Sequence, residues 1–220
     1  MKALSIDTST EVLALAASNG DAWTSLSLRR GLQHSPTLLP LVDRLLAEIG
    51  LAAADLQLIV CSLGPGSFTG IRIGLATALG IGYGTGVPVV GASTLDAIAR
   101  PWAAREGDVL PVIDARKGNI YTALFRRGER VTGYLDLSPE DLLARVFTAD
   151  RPLLAGPDAE RIRGLLGETA REVPCVDLLD PSALLRIGIE KYTKEGADPN
   201  ALRPLYLRKS EAEIMNGMRK

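Results

Sequence analysis

The order of predicted elements constrains this fold more than any single motif does. Three strand-like runs open the chain at residues 3–6, 12–17 and 22–28, and Asn19-Gly20 marks a two-residue hairpin. A helix over 36–49 follows, with Ser35 as N-cap, Pro36 at its first position and Gly50 after its end. A continuous apolar run at 56–61 suits a strand buried on both faces. Then come a helix over 71–83, a strand at 87–90 and a helix from Ser93 to 104. The pattern restarts with strands at 109–113, 120–125 and 130–135. Ser138 and Asp141 open a helix to 147 with a capping-box-like spacing. A strand at 153–155, helices over 158–166 and 182–193, and a polar tail complete it.

This β-β-β-α-β-α-β-α series, followed by a shorter β-β-β-α-β-α-α series, predicts an α/β protein with mixed sheets. The restart predicts two lobes with a cleft between them, 1–104 and 105–220. The last helix or tail is free to pack back on the first lobe.

With 46% hydrophobic and 23% charged residues among 220, disorder, collagen and a disulfide-stapled mini-protein are excluded. The net charge of −1 supplies no general field for nucleic acid. Cys61 and Cys175 read as buried free thiols, and the absence of Cys-x-x-Cys excludes a zinc ribbon. No basic, apolar and small-residue leader is present, and no apolar run reaches the roughly 18 to 20 residues of a membrane span. A cytoplasmic protein without membrane contact is expected.

The run Gly64-Pro65-Gly66-Ser67-Phe68-Thr69-Gly70 is the most specific local feature. It lies between a strand and a helix, where backbone N–H groups can hold an anion. It nevertheless has Thr69 where a dinucleotide loop needs glycine, and it lacks the lysine of a Walker loop. A tight turn that packs helix on strand remains the alternative. In the next helix Gly70, Gly74, Ala78 and Gly82 recur every four residues on one face. Each helical glycine costs about 1 kcal/mol relative to alanine, so a close approach is implied. That approach is to its own sheet or to another subunit. The preceding helix favours the subunit, because its apolar residues, among them Leu38, Leu41 and Leu45, spread over more than one stripe. These seven residues are the expected partner interface.

Asp7 ends the first strand, with Thr8, Ser9 and Thr10 in the turn after it. A strand-end carboxylate beside hydroxyls can hold a metal–phosphate complex, or it can cap a turn. Asp114 ends the first strand of the second half, so both aspartates are expected to face one cleft. Asp7, Thr8, Ser9 and Asp114 are therefore candidate nucleotide ligands. His34 is the only histidine and reads as a cap or surface residue. Ser67 is not in a Gly-x-Ser-x-Gly elbow, and His-Glu-x-x-His is absent. No catalytic residue and no metal ligand set is assigned, and a peptidase is excluded. The stretch 204–213, with its apolar–aromatic step, reads as a solvated terminal segment.

Four motifs in this order resemble the bacterial TsaB (YeaZ) family: Asp7-Thr8-Ser9, the glycine run continued to Gly74, Ile113-Asp114-Ala115-Arg116, and Tyr206-Leu207-Arg208-Lys209-Ser210-Glu211-Ala212-Glu213. The resemblance covers essentially the whole chain. It implies an actin/sugar-kinase/Hsp70-like (ASKHA) fold. It also implies a non-catalytic scaffold or activator in making threonylcarbamoyladenosine beside the tRNA anticodon. The implied partners are a paralogous TsaD transferase, which moves threonylcarbamoyl from threonylcarbamoyl-AMP, and a TsaE ATPase. Relatives of this kind carry older, glycoprotease-like labels. Where the catalytic paralogue has a histidine-rich metal run, this chain reads Gly91-Ala92-Ser93-Thr94-Leu95-Asp96-Ala97-Ile98. Its first turn also lacks the glycine of ATP-binding relatives. ATP, ADP and magnesium are expected to bind weakly or not at all, and no cofactor tightly. A homodimer alone, a heterodimer with the paralogue, and tRNA contact only through the complex are the further expectations. The alternative is a weak ATPase or kinase-like phosphotransferase using Asp7 and Asp114.

Overall fold

The computed structural model describes residues 1–29 and 35–208, and it opens with an antiparallel meander of β1 (Lys2–Asp7), β2 (Val12–Asn19) and β3 (Ala22–Arg29). The hairpin forms as its dipeptide demands: Asn19 pairs with Ala22, and Gly20 takes the left-handed turn at φ 63°. The chain then passes through α1 (Ser35–Glu48) and returns as β4 (Leu58–Ser62), parallel to β1. It continues through α2 (Phe68–Thr85) to β5 (Val89–Ala92), parallel to β4. The sheet order is β3-β2-β1-β4-β5. Every residue of β4 is buried, which accounts for its unbroken apolar run. The expected cap through the Ser35 side chain, His34, and residues 209–213 of the tail lie outside the described residues.

After α3 (Thr94–Ala99) the second lobe repeats this plan. It contains β6 (Asp108–Arg116), β7 (Asn119–Thr122), the short hairpin β8 (Phe125–Arg126) and β9 (Glu129–Arg130), and β10 (Leu135–Leu137). Then follow α4 (Pro139–Thr148), β11 (Leu153–Ala155), α5 (Ala159–Leu165) and β12 (Cys175–Val176). Its path order β10-β7-β6-β11-β12 reproduces the first sheet position for position, with two antiparallel neighbours on one side and two parallel strands on the other.

Several bounds differ from the sequence reading for local reasons. The third helix stops at Ala99 rather than 104, because Pro101 lacks an N–H and the chain tightens into a 3-10 turn at Arg100–Trp102. The expected strand at 130–135 is divided between β9 and β10, with Thr132 turned inward so that its hydroxyl accepts the Leu124 N–H at 3.0 Å. Strand β12 is too short to carry a pattern.

Helix α6 (Pro181–Glu195) crosses back to the first sheet, where Ala183, Leu184 and Leu185 pack with Ala3, Ala16, Val60 and Val90. A separate apolar seam joins the lobes: Val12, Ala14, Leu95 and Ile98 meet Ile113, Tyr121 and Ala123. Among the described residues no helix is long and apolar enough to cross a membrane.

Candidate functional site

The first turn and the glycine loop form one buried unit. The Thr8 hydroxyl donates to the Gly70 carbonyl at 2.7 Å, and the Ser67 N–H donates to the Ser9 carbonyl at 2.6 Å. A Cβ on Gly66 or Gly70 would run into the carbonyls of Ser9 and Thr8, so the glycines permit backbone-to-backbone contact. The Ser9 N–H and hydroxyl both donate to Asp7 Oδ1, at 2.8 and 2.6 Å. Ser9 also meets Thr94 at 2.8 Å, and Thr94 meets Ser62 at 2.5 Å. With one hydrogen per hydroxyl, donation runs from Ser62 to Thr94 to Ser9 to Asp7. Burial, and then the nearby Asp7 carboxylate, push the Cys61 thiol up to about 12.

Between the lobes lies a cleft of about 600 Å³, with Ser9, Glu11 and Ser67 on one wall and Asp114, Arg116 and Lys117 on the other. The two strand-end aspartates do not face it together. Asp114 is in the wall, whereas Asp7 is buried behind Ser9 and does not line it. Asp114 is also engaged: Oδ2 pairs with Arg161 at 2.9 Å and Oδ1 accepts the Arg116 N–H at 2.8 Å. The Arg116 side chain reaches over to Glu11 at 2.9 Å. Asp158 pairs with Arg161 at 3.4 Å and accepts the Asp114 N–H at 3.0 Å. Among the described residues no group of three or more His, Cys, Asp or Glu could hold a metal ion.

One cleft wall escaped the sequence reading. Segment 204–208 is not a solvated tail. The Leu205 N–H donates to the Leu63 carbonyl at 2.7 Å, and the Tyr206 ring stacks on Phe68 with centroids 4.7 Å apart. Arg72 Nε donates to the Tyr206 hydroxyl at 3.0 Å, while its guanidinium lies 3.8 Å over the Phe68 ring. Arg208 donates twice to Asp136, each at 3.0 Å. The apolar–aromatic alternation of Leu205-Tyr206-Leu207 was the available signal.

The expected partner residues also need correction. Gly70, Gly74, Ala78 and Gly82 face their own sheet and are buried. A Cβ on Gly74 would lie 2.5 Å from Thr8 Oγ1, and one on Gly82 would lie 2.7 Å from Val89 Cγ2. Leu38 and Leu45 belong to the core with Val42 and Leu46, and Leu41 is half-buried at its margin. The outward apolar residues of these helices are Leu39, 54% exposed, Phe68, 36%, Leu79, 41%, and Tyr83, 95%. The ridge reading failed because smooth glycine faces serve sheet contact as well as helix contact.

Two lobes with a shared 3-2-1-4-5 strand order, meeting at a cleft, define an α/β protein of the actin/sugar-kinase/Hsp70 class. A solved structure, YeaZ from Pseudomonas aeruginosa, superposes with a TM-score of 0.79 at 26% identity, covering 94% of this chain and 99% of that one. The sequence model "TsaD: tRNA N6-adenosine threonylcarbamoyltransferase" matches residues 31–156. The "tRNA threonylcarbamoyladenosine biosynthesis protein TsaB" of Bacillus subtilis (strain 168) is 33% identical over 231 aligned residues, 97% of this chain and 96% of that protein. The Escherichia coli (strain K12) protein of the same name is 36% identical over 131 residues, 59% of this chain and 57% of its own length. The chain belongs to the TsaB (YeaZ) family.

Proposed function

We propose that this protein is a non-catalytic scaffold or activator in making threonylcarbamoyladenosine beside the tRNA anticodon. It acts in the cytoplasm with a TsaD-like transferase and a TsaE-like ATPase, and tRNA is reached through that complex. The names of the Bacillus and Escherichia relatives support the pathway. One observation carries the non-catalytic part: the cleft carboxylate Asp114 is bound by Arg161 and by the Arg116 N–H, and Asp7 accepts two bonds from Ser9. A phosphotransfer or hydrolytic site needs a carboxylate free to take a metal–phosphate or a proton. Asp114 already has a charged partner and Asp7 is buried away from the cleft, which counts against the weak-ATPase and kinase-like alternative.

The outward faces of α1 and α2, with Leu39, Leu79 and Tyr83, form the docking surface. The TsaD sequence match spans both helices, so a TsaD-like partner carries an equivalent pair. Two equivalent faces can meet around a quasi-two-fold axis, and two copies of this chain can do so when the partner is missing.

The test is a transfer assay with threonylcarbamoyl-AMP, tRNA and divalent metal. The chain alone gives no turnover, and adding the TsaD-like and TsaE-like proteins gives full turnover that disappears when this chain is omitted. Turnover by the isolated chain at the rate of the complete set would reject the scaffold assignment.

A further inference from the structure

We infer that the partner-facing surface continues from α2 onto the C-terminal segment, and that Arg72 is its charged anchor for a carboxylate of the TsaD-like partner. This rests on the scaffold reading above and assigns the chemistry of its docking surface. Phe68, Arg72, Leu79 and Tyr83 recur at helical spacing and are all exposed, so they form one stripe of α2 that starts at the edge of the cleft, which Phe68 and Arg72 line, and runs outward to Tyr83. Tyr206 adds a ring beside the first turn of that stripe, through its stack on Phe68. Apolar and aromatic side chains flanking one arginine are the composition from which energetically dominant interface centres are built.

Arg72 lies at the edge of the cleft, beside Phe68 and Tyr206, and differs from the other cleft arginines in its partners. Arg116 already pairs with Glu11 and Arg208 with Asp136. Among the described residues no carboxylate pairs with Arg72; its contacts are two rings and a phenol oxygen. Only its Nε is committed, by the 3.0 Å bond to Tyr206. The guanidinium keeps further N–H donors in a fixed plane, and its rotamer freedom is already lost to the stack. A preordered fork of this kind takes a carboxylate at little further entropic cost. Tyr206 is itself fixed from both sides, by the Leu205–Leu63 bond in the first lobe and the Arg208–Asp136 pair in the second. A chain covering the apolar stripe without offering a carboxylate would strand the guanidinium away from water, so the same group selects the partner.

The experiment measures the dissociation constant of the full-length chain with its TsaD-like partner by calorimetry, at low and high salt. The variants are Arg72→Glu, Arg72→Gln, Arg72→Lys, Tyr206→Phe and Leu79→Glu, with folding checked by circular dichroism. Arg72→Glu should weaken binding roughly 100-fold or more, as loss of a desolvated charge pair does. Arg72→Gln should fall close behind. Arg72→Lys, which keeps charge but not the planar fork, should lose about 10-fold, and Tyr206→Phe a few-fold. Added salt should weaken the wild type more than Arg72→Gln. If Leu79→Glu abolishes binding while both Arg72→Glu and Arg72→Gln bind like wild type, the Arg72 assignment is wrong and the α2 interface stands. If none of the variants changes affinity, the α2 face is not the interface, and this inference falls whatever the transfer assay shows.

Discussion

Thr8 and Gly70 are joined by a 2.7 Å hydrogen bond from the hydroxyl of one to the carbonyl of the other, across 62 positions of sequence. That bond pins the first turn of α2 onto the first turn of the chain. It also assigns the glycine row of α2 an internal purpose: the helix approaches β1 so closely that a side chain at position 70 or 74 would displace Thr8.

Gly74→Ala should therefore lower stability, because its Cβ would sit 2.5 Å from Thr8 Oγ1. A cost of about 1 to 3 kcal/mol is expected from overpacking a site that cannot relax. Gly80→Ala and Gly84→Ala lie on the opposite face, where a Cβ meets nothing within 4 Å. Each should instead stabilise by roughly 0.5 to 1 kcal/mol through lower unfolded-chain entropy. Urea denaturation of the three variants checks both signs; equal effects from all three would contradict the internal role of the row.

Acid should loosen the second lobe through Asp108. Its carboxylate is buried at the start of β6 and accepts two bonds from Arg126, at 2.7 and 2.8 Å, and one from the Asp150 N–H. The Arg126 bonds, opposed by burial and aided by the Asp150 bond, hold its pKa below the ordinary 3.8. A depressed native pKa means stabilisation that is present above pH 3.8 and is lost as pH falls through the native value. Asp108→Asn should be clearly less stable than wild type at pH 7, with the gap narrowing as pH falls below 3.8. Thermal melts across that range measure it; a gap independent of pH would assign the loss to packing alone.

The alternation of elements was legible in the sequence because each carries its own period or cap. Asn19-Gly20, Ser93 and Ser138 stand where their local chemistry predicts, whereas α2 begins at Phe68 with Ser67 as its cap, three residues before the expected start at 71. The repeat of the element order followed from that alternation, whereas the order of strands within each sheet came from the structure. The site was legible in outline only. Of the four candidates Ser9 and Asp114 line one cleft while Asp7 and Thr8 are buried and do not, and nothing local tells that Arg161, 47 positions after Asp114, claims its carboxylate. The direction of the glycine row was hidden for a similar reason. Gly70, Gly74, Ala78 and Gly82 announce a close neighbour without naming it, and the neighbour is Thr8 and β5 rather than a second chain. The segment 204–208 was misread because its partners, Leu63, Phe68 and Asp136, are remote in sequence.

The engaged cleft predicts weak nucleotide binding. Calorimetric titration of the isolated chain with ATP or ADP, with magnesium present, should give no micromolar affinity. Micromolar binding by the wild type would favour the kinase-like alternative over the scaffold.

The two faces of α1 and α2 can be separated by substitution. Leu38 is buried in the first-lobe core with Val42 and Leu46, so Leu38→Ala should cost about 2 to 5 kcal/mol, the usual range for a core leucine. Its effect on association should be indirect, appearing only where the fold itself begins to fail. Tyr83 is 95% exposed and Leu79 is 41% exposed, and neither belongs to a core cluster. Tyr83→Glu and Leu79→Glu should leave the melting temperature nearly unchanged, because exposed substitutions seldom move stability by more than about 0.5 kcal/mol. Both should nevertheless break self-association and partner binding, since a carboxylate would be buried in an apolar contact without a partner. Light scattering with and without the TsaD-like protein reads association, and circular dichroism melts read the fold. If Leu38→Ala dissociates the chain at a temperature where it remains folded, while Tyr83→Glu and Leu79→Glu associate normally, the contact surface lies on a different face of the first lobe.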